Sequence, residues 1–250
     1  MNYTDINAKA VDSWVDDDWE WSIPTSHEDY IKAKNGDWKV VLTPLKPVPK
    51  DWFPNLENKK LLGLACGGGQ QMPIFKALGA ACTVLDYSAK QLEKEKLVAE
   101  RENYSINIVR ADMTKTFPFA DNSFDIIFHP VSNIFIEDVY HVWNECFRVL
   151  KSGGVLLAGL DNGINFLFDD DEVSIEIVNK LPFNPLKNDE LLKKLEADNT
   201  GIQFSHTLEE QIGGQLKAGF VLKDLYEDYN HGGLFKDYIP TFFATRSIKP

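Results

Sequence analysis

The chain is short of the residues that would commit it to several common classes of protein. Its 250 residues include only three cysteines, Cys66, Cys82 and Cys146, each set inside an apolar segment. An odd number placed in this way argues against a disulfide framework or a zinc site and fits a reducing compartment, so a cytoplasmic protein is expected. Basic residues are scarce: 26 Lys and Arg against 38 Asp and Glu leave a formal net charge of −12. No basic run exceeds a pair such as Lys193-Lys194. Nucleic acid and anionic membrane surfaces both demand a basic face that displaces counterions, so neither is expected as a partner. No stretch approaches the roughly 20 apolar residues of a membrane span. The chain opens Met1-Asn-Tyr-Thr-Asp5 with neither a basic region nor an apolar run, so no secretory signal is expected. Internal repeats and low-complexity blocks are absent too. What is plentiful is apolar: 44% of the residues are hydrophobic, enough for a sizeable core.

Two textures divide the chain. Residues 1–55 are aromatic and irregular, carrying Trp14, Trp19, Trp21, Trp38 and Trp52 and the proline-rich stretch from Pro44 to Pro49. From residue 56 onward short apolar runs alternate with helical patterns, as in βαβ units feeding a parallel sheet. Strands are expected at Lys60–Cys66, Ala81–Asp86, Ile106–Ala111, Phe124–Phe128 and Val155–Gly159, with two more at Phe220–Tyr226 and Phe242–Arg246. Ser88 and Gln91 form a capping-box pattern, in which hydroxyl and amide satisfy the free donors of a first turn. Val139, Val142, Trp143, Cys146, Phe147 and Leu150 share one helical face, ended by the run Lys151–Gly154. Thr207 opens a capped helix with Leu208, Ile212 and Leu216 on one side. Residues 163–203 interrupt this rhythm and read as an insertion. The expected fold is α/β, a doubly wound and mostly parallel seven-stranded sheet with helices on both faces and the last strand antiparallel.

Ligands of such sheets bind beyond the carboxyl ends of the strands. The residues there are Gly67–Gly69, Asp86, Asp112, His129 and Asp161. A glycine turn lets ligand atoms approach the backbone and the next helix N-terminus, although glycine at a βα turn also serves geometry alone. Asp86 stands 19 positions after Gly67, close to the spacing at which an acid accepts from a ribose diol. Its plainer reading is a carboxylate ahead of the Ser88 helix. A dinucleotide fingerprint needs a third small residue, and Met72 occupies that position, which points away from NAD and toward a ribosyl ligand without a pyrophosphate.

The run Leu61-Leu-Gly-Leu-Ala-Cys-Gly-Gly-Gly69, followed by Val84-Leu-Asp-Tyr-Ser88, Arg110-Ala-Asp-Met113, Phe119–Asp125 and Phe147–Gly154, resembles the class I S-adenosylmethionine-dependent methyltransferases. The likeness is to the small-molecule set that includes the ubiquinone and menaquinone biosynthesis type, and it spans residues 59–160. It implies S-adenosyl-L-methionine as methyl donor, S-adenosyl-L-homocysteine as product, and a small-molecule acceptor, handled by a monomer or homodimer. Carried over residue by residue, it implies that Ala65, Cys66, Gly67 and Gly69 run along the methionine moiety, with Gln91 also facing the donor. Asp86 would take the ribose hydroxyls, Tyr87 would lie against the adenine, and Asp112 and Met113 would hold the ring's amine edge. The His129 carbonyl would receive the ammonium. Two positions depart from the family pattern: Gly63 stands where an acid is usual, and Ala65 where a first glycine is usual.

A sulfonium methyl is already activated, so alignment of the acceptor is the main task, and an oxygen acceptor gains from a base. His129 is the first candidate for that base, with His206 and Asp161 behind it. The 1–55 segment is either plain aromatic packing on the sheet edge or a cap over the donor, with Trp14 and Trp38 lining the acceptor pocket. The 163–203 insertion is the other expected wall. The acidic runs Asp16–Asp18 and Asp169–Glu172 are solvated faces or, on a functional reading, favour a cationic acceptor. Two other functions stay open on the sequence: a non-catalytic adenosylmethionine-binding protein, and an NAD-dependent oxidoreductase.

Overall fold

The computed structural model describes residues 2–168, 176–233 and 236–250, so the acidic run Asp169–Glu172 lies outside the described residues. Before the sheet come helices α1 (Tyr3–Asp16) and α2 (His27–Lys34). The alternating portion follows as β1 (Lys60–Leu64), α3 (Met72–Ala77), β2 (Ala81–Asp86), α4 (Ala89–Glu102), β3 (Asn107–Arg110), β4 (Phe124–His129), α5 (Val139–Val149) and β5 (Leu150–Asp161). Helices α6 (Asp189–Asp198) and α7 (Gly214–Ala218) precede β6 (Val221–Asp228) and β7 (Phe242–Ile248). The seven strands lie in the order β3-β2-β1-β4-β5-β7-β6. All neighbours from β3 to β5 are parallel, and β7 runs antiparallel to both β5 and β6. The expected seven-stranded, mostly parallel, doubly wound sheet is the one found.

Strand alternation divides the core into two layers. Leu61, Val84, Ile126, Phe128 and Leu157 face a cluster that takes in Val40, Leu42, Trp52, Phe53, Met72 and Phe75. Leu62, Leu64, Leu85, Ile127 and Leu156 face the opposite way, onto Val139, Val142, Trp143 and Cys146 of α5. Because both faces are covered, the strands read as near-continuous apolar runs. Loops beyond the carboxyl ends of the parallel strands form a rim on which a site can be built.

Three local expectations need correction. Helix α5 is not ended by a glycine turn; it stops at Val149 and the chain enters β5 directly at Leu150, with Gly153 and Gly154 inside the strand. Ser88 does cap α4, accepting from the Gln91 N–H at 3.1 Å, but the reciprocal arm is absent: the Ser88 N–H donates to Asp86 Oδ1 at 3.0 Å. Thr207 and Glu210 form a reciprocal capping box, yet the next residues, Glu209–Gly213, wind as a π-turn. The extra residue rotates the following face, so Gln211, Gly214 and Gln215 are buried while Leu208 and Leu216 are more than half exposed. Polar partners explain that choice. Gln211 Oε1 accepts from Asn133 Nδ2 at 2.8 Å, and Gln215 Oε1 accepts from Ser247 Oγ at 2.7 Å. Among the described residues no helix is long and apolar enough to cross a membrane.

Candidate functional site

At the rim, the turn after β1 and the acid ending β2 are tied together. Asp86 Oδ2 accepts from the Gly67 N–H at 3.0 Å, while Oδ1 holds the Ser88 N–H. A side chain at Gly67 would put its Cβ 2.6 Å from that of Gln91, so the turn lies directly on α4. Ala65 adopts a left-handed φ of +46°, and the Leu85 carbonyl holds its N–H at 2.8 Å. The space expected for an acid at Gly63 is already filled: a Cβ there would lie 2.4 Å from the Met72 sulfur. Burial raises the Asp86 carboxyl, opposed by its backbone N–H donors.

Two adjoining cavities open on this rim. The first, about 80 Å³, is lined by Asp86, Tyr87, Asp112 and Met113 from the strand ends and by Thr4, Ala8 and Val11 from α1. Asp112 Oδ1 is steadied by the Thr114 N–H at 2.8 Å. The second, about 260 Å³, is lined by Cys66, Gly67, Gln70 and Gln91, and by an apolar wall that includes Trp19, Trp21, Leu42, Pro44 and Phe242. Val11, Ala65, Asp86, Ser132 and Phe135 line both. Thus Ala65, Cys66, Gly67, Asp86, Tyr87, Gln91, Asp112 and Met113 do converge on a single hollow region. Gly69 stands behind its wall, its N–H donating to Glu95 Oε1 at 2.8 Å.

Helix α1 closes the first cavity. Tyr87 donates to Asp5 at 2.7 Å, Ser88 Oγ to Asp12 at 2.5 Å, and Asn7 is paired through both amide atoms with the backbone of Ile202. The last contact joins α1 to the end of the insertion. The tryptophans divide differently from expectation. Trp14 packs against Trp19 and Phe135 and donates to the Asn199 carbonyl, and Trp38 packs on Phe53 in the core, whereas Trp19 and Trp21 line the larger cavity. Aromatic content alone does not reveal which ring faces the hollow. Asp16 meets Lys90 at 3.2 Å and Asp17 and Asp18 point to solvent, so this run supplies no charge to the cavities.

His129 is fully buried behind the Ala65 turn. Its Nδ1 is 3.0 Å from the Leu64 carbonyl and its Nε2 is 2.8 Å from Asn133 Oδ1. Burial holds its pKa below the ordinary imidazole value, against the bonds from Leu64 and Asn133. A base must reach the acceptor with a lone pair, and this ring does not face either cavity, which counts against direct action by its side chain. His206 is buried as well, its Nε2 3.0 Å from the carbonyls of Asn133 and Ile136. Asp161, pushed up to about 7 by burial, caps the turn at Gly163.

Sequence reading missed two contributors. One is the α1 face of Thr4, Ala8 and Val11, whose i, i+4, i+7 spacing was visible. The other is Glu95, fully buried, with its carboxyl pushed up to about 8. Its signal was position: it falls on the stripe of Leu92, Val98 and Ala99, where a solvated charge does not belong.

Comparison with known proteins agrees with this geometry. Residues 62–158 match a family model described as a methyltransferase domain. Over 249 residues the chain is 43% identical to "Uncharacterized methyltransferase YbaJ" of Bacillus subtilis (strain 168), covering 97% of each chain. It is 30% identical over 207 residues to the demethylmenaquinone methyltransferase of Lactococcus lactis subsp. lactis (strain IL1403), covering 78% of this chain and 77% of that one. Its fold matches that of an S-adenosylmethionine-dependent methyltransferase from Mesorhizobium loti with a TM-score of 0.60, at 17% identity over 80% of this chain and 94% of that one.

Proposed function

Since the chain belongs to the class I S-adenosylmethionine-dependent methyltransferases, we propose that it methylates an uncharged small molecule with an apolar body, held in the larger cavity. The observation that carries this reading is the junction: two aspartates from successive strand ends meet in one small cavity, and Ala65 and Ser132 join it to an apolar one.

The residues present suit the donor. Asp86 still has lone pairs to accept from both ribose hydroxyls, and Asp112 and Met113 flank the space for the adenine, with Tyr87 beside it. Two buried oxygens around the hollow, Thr4 Oγ1 and Gln91 Oε1, have no hydrogen-bond partner among the described residues, as a site lined for a polar ligand would leave them. Ala65, Cys66, Gly67 and Gln91 would border the methionine end, Gly69 would shape the turn, and the His129 carbonyl would face the ammonium. Bound there, adenosylmethionine supplies a methyl group that needs no further activation. The protein's part is to orient the acceptor and exclude water. Cys66 takes no part as a nucleophile, because burial drives its thiol far up, away from the thiolate. Met72, packed onto β1, fills the place a dinucleotide fingerprint reserves for a small residue. The acidic balance of the chain and the apolar wall favour a free small molecule over a nucleic acid or a membrane, in a cytoplasmic monomer or homodimer.

Calorimetric titration with adenosylhomocysteine, adenosylmethionine and NADH tests the reading. Binding of the sulfur ligands is expected, with Asp86→Ala weakening it by about 10- to 100-fold through loss of charge-assisted hydrogen bonds. Binding of NADH alone, or of no ligand, would overturn it.

A further inference from the structure

Glu95 stands beneath the glycine turn, at a place where helix packing favours an apolar side chain. It shares the inner stripe of α4 with Leu92, Val98 and Ala99 and is fully buried. Its Oε1 accepts from the Gly69 N–H at 2.8 Å, while Oε2, buried as well, has no hydrogen-bond partner among the described residues. That second oxygen is left wanting in either state: as O–H it lacks an acceptor, and as O⁻ it lacks a donor. A glutamine would hold the Gly69 N–H as well. What glutamate adds is a charge that can be switched on.

The titratable groups facing it are mostly acids. The Cys66 thiol comes from the turn after β1, the Asp86 carboxyl and the Cys82 thiol from β2, and the Tyr104 hydroxyl from the segment after α4. Lys76 of α3 is turned instead to the Ala80 carbonyl and to the face of the Tyr104 ring. Burial, opposed by the Gly69 N–H and joined by the Asp86 charge, pushes the Glu95 carboxyl up to about 8. Cys66, Gly67 and Asp86 line the larger cavity, so Glu95 sits behind that wall and acts on the cavity through space.

Resting on the methyl-transfer reading, we propose that Glu95 selects the charged donor over the spent one, losing its proton as the sulfonium of adenosylmethionine enters and regaining it once the sulfur is neutral. The proton leaves Oε2 for solvent on donor binding, and one returns from solvent after transfer, so nothing is consumed over a turnover. The buried carboxylate attracts a positive sulfur and has no such hold on the neutral sulfur of adenosylhomocysteine, whose other charges match the donor's. Opposite charges about 10 Å apart, at an effective dielectric of about 20, still change an affinity roughly tenfold. The equilibrium asks only for the opening motions by which buried groups exchange protons. Glu95 touches neither ligand and is a specificity residue, not a catalytic one. Because the free protein keeps the proton up to about pH 8, the preference for donor grows as pH rises through that value.

Calorimetric titration with adenosylmethionine and adenosylhomocysteine, at about pH 6 and about pH 9, tests this in the unmodified protein and in Glu95→Gln. Between those pH values the donor-to-product affinity ratio should rise about fivefold or more relative to the same ratio in Glu95→Gln. Titration of the ligands' own amino groups is common to both proteins and cancels. Parallel ratios overturn the proposal. Should Glu95→Gln fail to fold, infrared difference spectra of the unmodified protein, with carbon-13 at its glutamate carboxyls, decide at about pH 7.5. Adenosylmethionine should remove a glutamic-acid C=O band that adenosylhomocysteine leaves in place. Glu102, where burial is outweighed by Arg101 and His27, and Glu145, paired with Arg148, are ionised and give no such band. A band lost with both ligands, or with neither, overturns the role of Glu95. If neither ligand binds at all, the methyl-transfer reading itself fails.

Discussion

The two cavities share one wall and are built on different principles. The smaller takes its two carboxylates and Tyr87 from residues next to strand ends, with Thr4 and Asn7 added by α1 and Ser132 by the loop after β4, and each aspartate is steadied by backbone N–H groups within a few residues or from the adjoining turn. The larger is assembled from stretches far apart in the chain: the 19–21 turn, the 41–44 loop, the 130–135 loop and Phe242 at the start of β7. Its loop at residues 43–46 is held by Asp228, whose Oδ2 accepts from Thr43 Oγ1 and from the N–H groups of Leu45 and Lys46, each at 2.8 Å. A site written into strand ends keeps its geometry as long as the sheet is formed. A site made of loops on that scaffold can change its specificity without disturbing the donor side.

Perturbations confined to one side sharpen this contrast. The largest effect is expected at Glu95, below the glycine turn. Its carboxyl titrates near 8 in the folded protein, well above the ordinary value of 4.5, so the folded state keeps a proton that the unfolded chain gives up. Stability therefore declines as pH rises through the ordinary carboxylate range, and levels off above about 8. Glu95→Gln keeps an acceptor for the Gly69 N–H and removes the ionisation, so it should flatten that decline and gain up to a few kcal/mol at about pH 8. Urea midpoints measured from about pH 5 to about pH 9 check this, and parallel curves for the two proteins would show that the buried carboxyl is not what limits stability.

Next in size is Gly63→Asp, which restores the family's usual acid. Met72 occupies the space, so overpacking should cost about 1–3 kcal/mol. The double variant Gly63→Asp with Met72→Ala should recover part of that loss, and a thermal melt that shows no difference would break the account of why the acid is missing. The smallest effect on the donor side is expected from Trp21→Ala. It removes acceptor wall only, so adenosylhomocysteine affinity should stay within about threefold while KM for an acceptor rises about tenfold. A large loss of adenosylhomocysteine affinity would mean that the two cavities are not separable.

The same contrast explains what could be read from the residues alone. Strands, the glycine turn and the aspartates at their ends are local features, carried by apolar runs and short spacings, and the structure brings them together in the expected order. Tryptophan roles were not legible, because Trp38 and Trp21 differ only in what folds back onto them. Gln91 looked like half of a capping box, but the Asp86 carboxylate takes the Ser88 N–H instead. His129 has the right type and position for a base, and only the Leu64 carbonyl and the Asn133–Gln211 pair show how its ring is engaged. The π-turn at Glu209–Gly213 is set by those tertiary partners rather than by local periodicity, which favoured Leu208 and Leu216 for the buried face.

The most direct test of the central claim is a crystal structure of the complex with adenosylhomocysteine. The account predicts the ribose hydroxyls on Asp86, the adenine between Tyr87 and Asp112, and the sulfur at the Ala65–Ser132 junction, facing the cavity of Trp19 and Trp21. Ligand density elsewhere on the molecule, with the Asp86–Asp112 cavity closed by side chains, would contradict it.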